Sequence, residues 1–130
     1  MGLIEKRLVK QGQDEWVPLA QTELRELTGG SQVYEVEWDT FEAEAIALNK
    51  VQYQALRRIN SAFRLICCDD LGKEAVNEKV TTVRLRNVAT FAAKTISLEA
   101  NVLLVAGAFG KGSDGYFGDI ELKQAIEKLI

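Results

Sequence analysis

The chain has no histidine, a single proline and only two cysteines in 130 residues. Without histidine it lacks the usual general base near neutral pH and the commonest neutral metal ligand. Ser–His and Cys–His nucleophile pairs are excluded within one chain. No G-x-S-x-G elbow, no phosphate loop ending in Gly-Lys-Ser/Thr and no C-x-x-C is present. The two cysteines, Cys67 and Cys68, are adjacent, which strains a mutual disulfide and offers no metal cage. Two reduced thiols are expected, at least one packed as a small hydrophobe. No catalytic residue, metal or cofactor is therefore nominated. The N-terminus, Met1 to Arg7, has no apolar signal region, and no later run reaches membrane-spanning length. A cytoplasmic protein without a membrane role is the expectation.

What is present is ordinary globular material. Hydrophobic residues make up 47% and charged residues 27%, enough for one core without disulfides. With no low-complexity tract and little proline, residues 1–130 read as a single globular domain. The net charge of −3 disfavours nucleic acid, which calls for concentrated basic surface. The charge is uneven: residues 1–50 hold ten acids against five bases, and residues 51–100 hold eight bases against five acids. Opposite-signed halves are expected to meet each other or a second copy of the chain.

Periodicity gives the elements. Residues 3–17 are ambiguous, with a polar break at 11–14. Pro18 opens a helix over 18–28 that Gly29-Gly30 stops. Tyr34, Val36 and Trp38 alternate with Glu35, Glu37 and Asp39 as a half-buried strand. Residues 40–48 lean helical. Val51, Ala55, Leu56, Ile59, Ala62, Phe63 and Ile66 recur every three or four residues, predicting a long central helix near 50–68 entered through an Asn49–Gln52 capping box. Asp69-Asp70 caps a helix over 71–78 whose apolar residues are Leu71, Ala75 and Val76. Strands follow at 80–88 and 95–109, the second with a suspected break near Glu99-Ala100-Asn101. A C-terminal helix near 119–130 is capped by Asp119. The fold class is α+β: an antiparallel sheet of about three to five strands with helices packed on one face.

Three constellations carry functional expectations. Five of the thirteen residues from Gly107 to Asp119 are glycine, and the segment opens a helix. Gly110, Lys111, Gly112, Ser113, Asp114 and Tyr116 are the candidate ligand-binding residues, for a small anion cradled by backbone N–H groups. A plain surface turn is the simpler reading, because Asp114 and Asp119 place negative charge there. Arg57, Arg58, Arg64, Arg84 and Arg86 would form a basic patch if helix and strand were adjacent. It could receive an anion or the acidic row Glu35, Glu37 and Asp39 of another copy. Finally, Leu103, Val105 and Phe109 fall on what should be the wet face of their strand, and they need cover. With Arg84 and Arg86 they are the candidate interface residues. The function expected is a non-enzymatic protein-interaction or assembly module, a homodimer or other homo-oligomer. The alternative is a small anionic-ligand-binding domain or enzyme using loop 107–119.

Overall fold

Alternation of Val83 and Leu85 with Thr82, Arg84 and Arg86 produces the central strand, and the rest of the sheet assembles beside it. A computed structural model describes residues 2–130. Its strands are β1 (Val33–Val36), β2 (Thr82–Asn87), β3 (Thr95–Glu99) and β4 (Val102–Gly107), in the order β1-β2-β4-β3. The architecture is α+β, as expected, but the sheet is mixed and not antiparallel. β1 pairs with β2 and β2 with β4 in parallel; only β3–β4 is antiparallel. Parallel neighbours need a long crossover, and here residues 37–81 provide it with four helical segments between β1 and β2.

The suspected break at 99–101 is a two-residue hairpin turn. Ala100 (φ 51°) and Asn101 (φ 65°) both take the left-handed conformation that such a turn requires. Asparagine tolerates it well and alanine poorly, so the surrounding pairing must enforce it. A two-residue turn also inverts parity: Ile96 stands opposite Val105 and Leu98 opposite Leu103. Even positions of β3 therefore share the inner face with odd positions of β4. Leu103 (0% exposed) and Val105 (2%) are buried against the helices, and the face assigned to them from one uninterrupted alternation is corrected.

One helical rod runs from Leu3 to Thr28: α1 (Leu3–Gln11), a π turn (Gly12–Trp16) and α2 (Val17–Thr28). The polar stretch at 11–14 is thus no break. Val17 N donates to Gly12 O across the wide turn, and Pro18, which has no N–H to offer, follows directly. Gly12 is required there because a Cβ would sit 2.2 Å from the Trp38 ring. Gly29 ends the rod in the left-handed conformation, its N–H on Arg25 O at 2.9 Å. Trp38 and Asp39, expected in the strand, instead open α3 (Trp38–Glu42), which brings the Trp38 ring onto Gly12.

After α4 (Ala45–Leu48), the central helix comprises a second π turn (Val51–Leu56) and α5 (Arg57–Ile66). No Asn49 capping box forms; Asn49 closes α4. Leu56, Ile59 and Phe63 are buried, and α5 lies on the inner face of the sheet against α2 and α7 (Asp119–Leu129). Asp69 caps α6 (Asp70–Lys79) as expected, accepting from Gly72 N at 2.8 Å, yet Leu71 points outward and Val76 alone of its apolar residues is fully buried. Gly118, not Asp119, caps α7, with its N–H on Glu121 Oε1. Among the described residues no helix is long and apolar enough to cross a membrane.

Candidate functional site

Loop 107–118 is anchored from below by one buried amide. Asn87, at the end of β2, accepts from Phe109 N at 3.0 Å and donates to Thr40 O (3.2 Å) and Glu44 Oε1 (3.0 Å). Glu44 in turn lies 3.5 Å from Lys111 Nζ. A Cβ on Gly110 would meet the Glu44 carboxylate at 2.5 Å, so the backbone there packs directly on it. At the expected anion cradle of Gly110 and Lys111, the Glu44 carboxylate thus stands against the backbone and faces the ammonium. Gly112, at φ 87°, turns the loop; Ser113 and Asp114 are exposed, and the Asp114 carbonyl accepts from Lys94 Nζ. Tyr116 is buried, stacked on Phe109 with ring centres 5.4 Å apart, and Phe109 meets Phe41 at 5.7 Å. At Gly110 the loop backbone packs on the Glu44 carboxylate, while residues 111–114 remain exposed.

The expected interface residues separate. Leu103, Val105 and Phe109 are covered within the chain, so they offer nothing to a second copy. Arg84 and Arg86 lie on the outer sheet face, away from α5, and the five arginines do not converge. Arg84 places two nitrogens on Glu35 Oε2 (3.0 and 2.7 Å), and Arg86 grips both oxygens of Glu37 at 2.9 Å. The Glu37 bonds hold the Arg86 guanidinium firmly in its charged form. With Arg64–Glu23 at 3.6 Å, these pairs join the acidic first third of the chain to its basic middle.

A broad, open concavity lies elsewhere, between α2 and the central helix. It is a groove of about 850 Å³ whose walls include both π turns. Trp16 and Leu56, both buried, and Ala20 form its floor; the exposed Leu19 and Tyr53 flank it. Asp14, Glu15, Glu23 and Glu26 line it against one guanidinium, Arg57, which sits 5.7 Å from the Tyr53 ring centre. The wide turns explain the location. Each inserts a residue into the helical ladder and leaves an i to i+5 bond, Val17 N to Gly12 O and Arg57 N to Gln52 O, where the two helices approach. Such turns recur at functional sites.

Glu23 is the one acid of the groove tied to the interior. The buried Tyr34 hydroxyl donates to Asn60 Oδ1, and Asn60 Nδ2 donates to Glu23 Oε1 (2.8 Å) and to Ala20 O (3.0 Å). Burial, and secondarily the Glu23 charge, pushes the Tyr34 phenol well above its ordinary range. Sequence reasoning missed the groove residues Trp16, Glu23, Tyr53 and Asn60. The available signals were Pro18 following a glycine-containing turn, and Asn60, a polar residue on the apolar stripe of the central helix. Comparison with protein-family models, with curated proteins and with solved structures returns no match, so the functional reading rests on geometry.

Proposed function

We propose that the protein is a non-enzymatic interaction module whose α2–α5 groove receives a basic, amphipathic segment of a partner protein. The observation that carries this reading is the groove's composition, an apolar floor under four carboxylates and one arginine. An amphipathic helix laid in a groove gains affinity from its apolar face. Exposed rim pairs add only about 0.2–1 kcal/mol each, and they serve mainly to steer and select. Self-association through Leu103, Val105 and Phe109 is not part of this reading, because its physical motive has gone.

The chain has two tryptophans, so Trp38→Phe leaves Trp16, on the groove floor, as sole reporter. Titration with a synthetic Leu/Lys amphipathic peptide should give a saturable change in Trp16 emission that weakens with salt. A Leu/Glu peptide with the same apolar face should not. Glu23→Lys with Glu26→Lys should weaken binding by roughly tenfold or more, whereas Glu74→Lys with Glu78→Lys on α6 should leave it unchanged. Equal binding of the two peptides, or equal loss in the two double variants, would overturn the assignment.

A further inference from the structure

We infer that Lys50, Arg58 and Tyr116 form a second, separate site for the phosphoryl group of a small ligand. Lys50 Nζ lies 5.5 Å and the Arg58 guanidinium carbon 5.3 Å from the centre of the Tyr116 ring. Phe109 stacks on one face of that ring, which leaves the other to the two cations. Among the described residues neither cation has a carboxylate within 4 Å, as is true of most of the chain's lysines and arginines, but these two share one aromatic ring. Two like charges are thus held at one aromatic ring without a carboxylate in direct contact.

Tyr116 adds a second, independent indication. The residue is 94% buried, at 6% exposure, yet its hydroxyl has no hydrogen-bond partner among the described residues. Among the described residues no fully buried side-chain oxygen or nitrogen is left without a partner. The hydroxyl therefore reaches solvent, a free donor on the ring that the two cations flank. Lys50 further stands at the start of the Val51–Ile66 helical run, where no side chain caps the first N–H groups. Such groups and the helix dipole favour negative charge near the Lys50 backbone.

The set offers an ammonium, a guanidinium and a hydroxyl, and none of the three donates a hydrogen bond to another described residue. A tetrahedral dianion uses this best: its several oxygens can take the guanidinium fork and the ammonium together, which a single carboxylate cannot do as fully. The site differs from the cradle expected at Gly110 and Lys111, where the Glu44 carboxylate stands, and it does not depend on the α2–α5 groove.

Titration of the full chain with inorganic phosphate, and with phenyl phosphate, should produce saturable shifts of the Arg58 Nε–H and Tyr116 ring resonances. Acetate and chloride at matched ionic strength should shift them weakly and without saturation. Arg58→Gln and Lys50→Gln should each weaken phosphate by roughly tenfold, and Tyr116→Phe, which keeps the stacked ring, by a few-fold. Stronger binding of phenyl phosphate than of inorganic phosphate would identify an esterified ligand, and equal binding the free ion. Shifts that follow ionic strength alone, or that survive both cation variants in folded protein, would overturn the proposal.

Discussion

In the loop after β4 the polar groups nearest the backbone satisfy one another, whereas in the α2–α5 groove they are held in place but left open. Asn87 uses its carbonyl on Phe109 N and its amide on Thr40 and Glu44, and Glu44 also takes Lys111. At Gly110 the Glu44 carboxylate already stands against the backbone. Across the molecule Asn60 fixes Glu23 by one oxygen, and around it Asp14, Glu15 and Glu26 face solvent over Trp16 and Leu56. The first arrangement spends its hydrogen bonds on stability. In the second, Glu23 is oriented by Asn60 and faces Arg64, Asp14 pairs with Lys10 on its own helix, and Glu15 and Glu26 have no cation within 4 Å among the described residues. Substitutions of Asn87 and Phe109 should therefore register in folding free energy, and substitutions of the exposed groove acids in binding.

The largest effect belongs to Phe109. It is 2% exposed, between Phe41 and Tyr116, so Phe109→Ala should cost on the order of 3–5 kcal/mol in chemical denaturation. A loss below about 1 kcal/mol would mean that the loop is a loose surface turn and would erase the contrast. Asn87→Ala comes next. It strands Phe109 N, which is buried, and should cost about 1–3 kcal/mol while speeding hydrogen exchange at that amide. Unchanged exchange at Phe109 would show that the amide does not anchor the loop.

How far these features were legible in the sequence follows from the range of the interactions behind them. The central helix, the β2 alternation and the Asp69 cap depend on neighbours within a few residues, and they formed as the pattern required. The mixed sheet depends on which strand the β3–β4 hairpin inserts beside β2, a long-range choice that no local pattern states. The inner face of β4 was misassigned for a subtler reason. The chain turns on Ala100-Asn101 without glycine, so one unbroken alternation was carried through a turn that inverts it. The glycine-rich loop was visible, but not that Glu44, sixty-odd residues upstream, would stand against it. The groove has residues from two helices about 35 positions apart, and each of its acids alone reads as a solvated helix face.

The relay behind the groove gives a pH test of intermediate size. Burial raises the Tyr34 phenol above its unfolded value of about 10. A raised folded value means stability that is fully present below the unfolded value and lost as pH climbs through it toward the folded one. Burial also raises the Cys67 thiol, against an opposing pull from Lys73, so its contribution has the same sign and begins at lower pH. Denaturation midpoints should therefore fall on the alkaline side. Tyr34→Phe should remove the later part of that fall, and Cys67→Ala the earlier part. At neutral pH Tyr34→Phe should cost about 1 kcal/mol, since Asn60 Oδ1 loses its donor. A variant with the same alkaline profile as the parent would show that the phenol is not sealed behind Asn60.

The smallest effect is expected at the groove's own apolar edge, and it decides whether the groove is open in solution. Leu19 is 69% exposed and Tyr53 55%, on facing helices. Large apolar side chains left this accessible gain little from the fold. Leu19→Ala and Tyr53→Ala should each change stability by no more than about 0.5 kcal/mol, as surface substitutions away from caps and buried networks do. Their effects should also add, because side chains separated by an open groove share no contact. If the groove closes in solution, Leu19 and Tyr53 would meet over Trp16, and removing either would forfeit burial at roughly 25 cal/mol per Å². The double-mutant cycle then shows a coupling above about 0.5 kcal/mol, and Trp16 emission shifts in each single variant. Additive, near-zero costs combined with weakened binding of the Leu/Lys peptide would place these two side chains in recognition and outside the core. Coupled costs would make the groove a seam of the fold, and the contrast with the loop would disappear.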